Sequence, residues 1–345
     1  MKQFRTFNFQ DIVLRCLIIS LTFAACQSKD NKNQIVSVDG PEITIFRADS
    51  ILANANTENS KSLYADLKAI DSTFAFVYAN QILRTSESDL SSESAVVERF
   101  ITERGIAQLL DTTMLLFPDL KREEREFASA FGHYKSIFPN HPIPKVIACN
   151  TDMSLAAFTV GDSILAFSTE LFLGENFPGY ESLYPKYVNR TFTAEHILPK
   201  AMTVLVQNIA GNVPENGNLL DQMLYHGKVL LAVKQLLPEM ADSLILEYTA
   251  DQADWVKANE GPIWGYLTKE NLLYNSDWRA IQKLVNPSPN SPGMPAEAPG
   301  RTANYIGMKI VESYLRKHPN VSLDDLFKNT ESQKILQESA YHPSR

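Results

Sequence analysis

The spacing of apolar residues changes twice along this chain, and those changes limit its fold more than any other feature. Leu63, Leu67, Ile70, Phe74 and Val77 recur every three or four residues, which predicts an amphipathic helix over 61–83. Helical spacing continues over 93–103 and 105–116, with a serine-rich turn at 86–94, and Pro118 suits the first turn of a fourth helix reaching Phe138. Pro139, Pro142 and Pro144 then end the helical array. Beyond them come short apolar runs at 146–149, 156–160 and 163–167, with Gly161-Asp162 placed to turn the last two into a hairpin. The helical period returns at 195–210 and 217–237, and again at 239–247, 250–259, 263–270, 276–284, 303–317 and 330–339. With a further short strand at 42–46, the pattern predicts a mainly α protein of α+β type: helices around a small sheet, without internal repeats.

The N-terminus predicts a destination. Lys2, Arg5 and Arg15 precede the apolar run 16–25, which is shorter than the ~20 residues a bilayer span needs and reads as a secretory signal. That run ends Phe23-Ala24-Ala25-Cys26, small residues directly before a cysteine, as in a bacterial lipobox. The alternative is an ordinary signal peptide with an incidental cysteine; the polar stretch that follows at once, Gln27 to Gln34, favours the lipobox. The expected organisation is a lipoprotein signal peptide at 1–25, a lipid-anchored tether at 26–40 and one globular domain at 41–345. Each buried acyl CH₂ contributes about 0.8 kcal/mol, so palmitate-like chains on Cys26 would anchor the protein firmly. Cleavage removes three basic residues and one acidic, taking the net charge from −8 to −10. An acidic chain without a Lys/Arg block offers no footprint for nucleic acid.

Chemistry is sparse. Cys16 is removed and Cys26 lipidated, so Cys149 is the one remaining thiol, and its apolar surroundings predict a core cysteine rather than a nucleophile. The histidines at 133, 141, 196, 226, 318 and 342 include no pair four residues apart, as a zincin helix requires, and the chain has no G-x-S-x-G elbow, P-loop or G-x-G-x-x-G. A triad assembled from distant segments stays open. His226 shares a helix face with Leu219, Met223 and Leu230 and is either a satisfied core histidine or a ligand. His196 sits at a helix start as a neutral cap partner. Phe177, Tyr180, Tyr184 and Tyr187 form an aromatic loop, read as packing before a sugar platform.

Arg301 stands out because the helix dipole opposes a cation at a helix N-terminus by roughly 0.3–1 kcal/mol. Gly300 is placed to take a positive φ and Thr302 to cap the helix. The guanidinium is then solvated, or paired with a carboxylate such as Glu260, or aimed at an acidic partner or bound anion.

The segments Leu224-Tyr-His-Gly-Lys228, Tyr248 to Trp255, Asn259-Glu260 with Ile263-Trp264, Leu272-Leu-Tyr274 and Ala298 to Gly307 together resemble the gliding-motility lipoprotein family GldB of Bacteroidota. Leu171-Phe-Leu-Gly174 and the lipobox fit the same family. The resemblance implies a non-enzymatic part in gliding motility and type IX protein secretion, and no catalytic residue. It also implies an outer-membrane lipoprotein on the periplasmic face, with other gliding and secretion proteins as partners. The layout is similar, further, to a gluzincin-type metallopeptidase scaffold. Here Val204 to Ala210 would be the first ligand helix, and Tyr225-His-Gly-Lys228 stands where a Glu-Gly ligand would be expected; a degenerate scaffold without metal or cofactor is implied. His226, Arg301, Trp264 and Asp251 are the candidate interaction residues. A cell-envelope hydrolase with an atypical site near His226, or a glycan- or ligand-binding lipoprotein, are the competing readings.

Replacing Cys26 with serine is expected to abolish incorporation of a fatty-acid analogue and to release the chain from membranes or leave its signal uncut. Label persisting on the variant would sink the lipobox reading.

Overall fold

The computed structural model describes residues 40–56, 58–83 and 92–343. The signal peptide, Cys26, most of the tether and most of the serine-rich turn lie outside the described residues.

A four-stranded sheet separates two sets of helices. Its order is β1 (Ile45–Arg47), β2 (Lys145–Cys149), β4 (Ile164–Ser168), β3 (Ala157–Val160). The first three run parallel, Ile45 opposite Val146 and Val146 opposite Leu165, and β3 closes the edge antiparallel to β4 through the Gly161 turn, where φ is +55°. The central strands are apolar over 146–149 and 164–167 because both faces are covered there. Val146, Ala148, Leu165 and Phe167 join one core, while Ile147, Cys149, Ile164 and Ala166 join the other. Cys149 is fully buried, and burial pushes its thiol well up, as befits a core residue.

On the second face lie α1 (Ala48–Ala53), α2 (Leu63–Ile70), α3 (Ser72–Val77), α4 (Glu93–Thr102) and α5 (Ile106–Leu116). The helix expected over 61–83 is broken at Asp71, whose extended backbone and carboxylate, accepting from the amides of Thr73 and Phe74, start a new helix that ends in a π-turn at Tyr78–Ile82. Its apolar spacing survives the break, so periodicity alone conceals it. The helix α6 (Lys121–Ile137) begins three residues after Pro118, and the strand expected at 42–46 pairs only from Ile45. α1 was not expected from the sequence.

The first face holds α6, then α7 (Lys186–Asn189), α8 (Ile197–Ala210), α9 (Leu219–Leu236), α10 (Asp242–Leu246), α11 (Ala250–Ala258), α12 (Glu260–Lys269), α13 (Trp278–Val285), α14 (Thr302–Lys317), α15 (Leu323–Lys328) and α16 (Ser332–Ser339). α15 was not expected. Among the described residues no helix is long and apolar enough to cross a membrane.

The loop leaving β2 carries Asp152 and Met153 at φ of 54° and 56°, a conformation that costs ordinary residues on the order of 1 kcal/mol or more. Glu170 holds it: one carboxyl oxygen accepts from the Thr151 amide at 2.7 Å, the Thr151 hydroxyl at 3.0 Å and the Met153 amide at 3.1 Å. Burial raises this carboxyl to about 7, so its contribution to stability declines as pH rises from the ordinary carboxylate range through neutrality.

α9 and α14 cross with their backbones in direct contact. A methyl group on Gly307 would stand 1.8 Å from the Met223 carbonyl oxygen, and one on Gly227 would stand 2.3 Å from the Gly307 carbonyl carbon. Two glycines let the backbones meet where any side chain would separate them. Gly307→Ala is expected to cost about 3 kcal/mol or more in a denaturant titration, by forcing the helices apart. Gly265→Ala, inside α12 with open space around it, should gain about 0.5–1 kcal/mol. Equal effects from the two would refute the role given to the crossing.

Candidate ligand-binding site

Gly227 sits beside His226, and the start of α14 lies about one and a half turns before Gly307, so the crossing brings His226 and Arg301 to one cavity. This cavity, of about 200 Å³, is lined by Thr203 and Gln207 from α8, His226 and Leu230 from α9, Glu247 and Tyr248 after α10, and Arg301 and Asn304 at the start of α14. A second, of about 90 Å³, adjoins it and is lined by Arg190, Lys200, Ser288 and Gly300. The two share Glu247, Tyr248, Pro287 and Arg301.

Glu247 organises the charges here. Its carboxylate accepts from the Arg301 Nη2 at 2.7 Å and from Lys200 Nζ, and its backbone carbonyl accepts from the Arg190 Nη2 at 3.1 Å. Lys200 and Arg301 hold the Glu247 carboxyl far below the usual carboxylate range against the opposing effect of burial. Both members of the Glu247–Arg301 pair have left-handed backbones, at φ of 55° and 63°. Such strain persists only where the surroundings overdetermine it; here Arg190 holds the Glu247 carbonyl, and further hydrogen bonds hold the Gly300–Arg301 peptide. The Arg301 amide donates to the Lys283 carbonyl, and the Tyr248 hydroxyl donates to the Gly300 carbonyl.

These contacts revise the local reading of Arg301. Its carboxylate partner is Glu247; Glu260 instead accepts from the Tyr341 hydroxyl at 2.9 Å. Arg301 itself, rather than Gly300, takes the positive φ. Gly300 is needed because a methyl group there would lie 2.4 Å from the Ser288 hydroxyl. Thr302 is inside the helix, its hydroxyl bonded to that of Ser291.

His226 is half-buried and faces the cavity rather than the core, and burial together with the nearby Arg301 charge lowers it to about 4, so it is neutral at physiological pH. His196, hydrogen-bonded to the Thr193 hydroxyl at 2.9 Å, is also lowered to about 4 by burial first and then by Lys200. Trp264 and Asp251 lie apart from the cavities. Trp264 packs edge-on against Tyr341, and Asp251 is exposed in the first turn of α11. In the aromatic loop, Tyr180 and Tyr184 pack edge-on against Phe192, with centroids 4.9 and 5.0 Å away.

Lys200, Arg190, Thr203, Gln207 and Glu247 were not singled out in the sequence. For Glu247 a signal existed. A carboxylate at the C-terminal end of a helix is opposed by the dipole, as Arg301 is at an N-terminal end, and the two adverse placements neutralise each other.

Because Glu247 ionises more readily folded than unfolded, its pairs stabilise the protein above about pH 4.5 and are lost as pH falls below it. Glu247→Gln is expected to cost about 2–3 kcal/mol at pH 7, less than a fully buried pair because a fifth of each side chain remains exposed. The gap between variant and wild type should narrow below pH 4.5, read by chemical denaturation across pH. A gap that is absent at pH 7, or independent of pH, would remove Glu247 from this role.

No curated protein and no solved structure matches the chain. A sequence model of the family described as gliding motility protein GldB matches residues 28–343, nearly its whole length. That span includes α8, α9 and α14 and every residue lining the two cavities, and the protein belongs to the gliding motility protein GldB family.

Proposed function

We propose that this protein is a lipid-anchored, non-enzymatic component of gliding motility and of the associated type IX protein secretion. Cys26 holds it at the periplasmic face of the outer membrane, and the domain after the tether acts by binding. Family membership supports the role in gliding, and the lipobox supports the anchor. Its partners are the membrane, through the acyl chains, and other envelope proteins of the gliding and secretion apparatus.

One observation carries the non-enzymatic part. α8 and α9 are the helices that would bear the metal ligands of a gluzincin-type scaffold, and the polar side chains they present to the cavity are Thr203, Gln207 and His226. Such a peptidase needs two histidines one helical turn apart; Val204 to Ala210 holds none, and α8 offers the cavity Thr203 and Gln207. A neutral hydroxyl and an amide are poor zinc donors, and the Arg301 charge that disfavours protonation of His226 would oppose a dication equally. This donor set does not fit zinc. The interlocked edge-on packing of Tyr180, Tyr184 and Phe192 likewise weighs against a sugar platform.

Elemental analysis of the purified protein is expected to find far less than one zinc per chain, and chelators should leave its melting temperature unchanged, unlike a protein whose metal binding is folding energy. Cells lacking the gene should lose gliding and retain type IX cargo. One zinc per chain would overturn the binding reading, and normal gliding in the deletion strain would overturn the role in motility.

A further inference from the structure

The charges around Glu247 do not balance. Lys200 and Arg301 bind the Glu247 carboxylate and Arg190 its backbone carbonyl, and no other acidic side chain lines either cavity. The guanidinium groups of Arg190 and Arg301 are close enough for the second to disfavour the charge of the first, adding to the effect of burial. Clustering like charges in a partly desolvated place is costly unless a counter-charge enters.

Two buried polar atoms of residues lining these cavities lack hydrogen-bond partners. The Arg190 Nε is buried without a hydrogen-bond acceptor, although the Nη2 of that group is engaged. Asn304, 5% exposed, donates through Nδ2 to the Val285 carbonyl at 2.8 Å, yet its Oδ1 is buried with no donor. Arg190 lines the smaller cavity and Asn304 the larger. Buried polar groups are seldom left unmatched, and each such loss costs about 1–3 kcal/mol. The missing partners are of opposite kinds: an acceptor beside the cations and a donor beside Asn304.

We propose that these adjoining cavities form a binding site for a small organic anion, with its carboxylate or phosphate group among Arg190, Lys200 and Arg301 and its hydrogen-bond donor and apolar body toward Asn304, Val229 and Leu246. The smaller cavity, about 90 Å³, has the volume of roughly three liquid waters, enough for one such head group and little else. The larger is walled by Val229, Leu230, Ile245, Leu246 and Val285, which suit a short aliphatic group. Glu247 holds the cations in place and leaves an excess of positive charge for the ligand. Planar guanidinium groups match either head group through paired hydrogen bonds. The site is independent of the role in motility, because it is tested on purified protein.

The test is titration calorimetry of the purified full chain with inorganic phosphate, acetate and N-acetylleucine at constant ionic strength. Saturable binding of phosphate or of the carboxylates is expected, and whichever binds more tightly identifies the head group. N-acetylleucine should bind more tightly than acetate, because it adds an N–H donor and an aliphatic group. Arg190→Gln should weaken binding about tenfold or more, the loss expected for a charge-assisted hydrogen bond. Should that variant fold poorly, phenylglyoxal labelling of the wild-type protein gives a second reading, with Arg190 and Arg301 protected by the bound anion and exposed arginines not. Absence of binding by all three probes at about 10 mM, a range covering even millimolar affinity, would overturn the proposal. So would labelling of Arg190 unaffected by a saturating anion, or affinity unchanged in a folded Arg190→Gln.

Discussion

The backbone contact between α9 and α14 is the constraint on which the functional half of this structure depends. Helices usually meet through side chains at 8–10 Å between axes; here Gly227 and Gly307 remove the side chains at the crossing and allow the main chains to touch. Because the approach tolerates no added atom, it fixes the rotation and translation of both helices. His226 immediately precedes Gly227, and Arg301 and Asn304 occupy the turn where α14 begins. The placement of the cavity walls is thus set by a contact that makes no contribution to their chemistry.

On that frame the charges form a second level of organisation. Glu247 closes α10 and Arg301 opens α14, each at the helix end that the dipole makes unfavourable for its charge. Each also adopts a left-handed backbone without being glycine. Their ion pair, reinforced by Lys200 and Arg190, offsets both penalties by directing two strained peptides at one another. Two strained non-glycine backbones meeting in a charged, partly enclosed cluster fit a site better than a core.

The β region was legible because its signals were local. Apolar runs over 146–149, 156–160 and 163–167, separated by turn residues, became strands at nearly those positions, and both central strands are apolar because each has a helical layer on either side. The expected helix over 61–83 misled for the opposite reason: Asp71 ends one helix and caps the next without disturbing the apolar period, and its carboxylate also pairs with Lys145 on β2, 74 residues away. That long-range partner, at 3.0 Å, stabilises a break that local propensity does not demand. Arg301 was flagged by its conflict with the helix dipole, whereas Glu247 carried the same conflict at a helix end whose boundary was read only approximately.

What the sequence by itself determined was the class and the layout: helices around a small sheet, a polar segment after a signal-like N-terminus, a buried Cys149, and the conjunction of motifs that marks the GldB family. Periodicity, turn chemistry and motif order are properties of neighbouring residues and need no third dimension. Only the tertiary structure decided that His226 opens to a cavity, that Trp264 and Asp251 lie away from it, and that Arg301 pairs with Glu247 while Glu260 serves Tyr341. Those outcomes turn on which of several carboxylates, all chemically competent, a helix crossing brings within about 3 Å of a guanidinium. That choice is made by the absence of two side chains, at Gly227 and Gly307, far along the chain from one another.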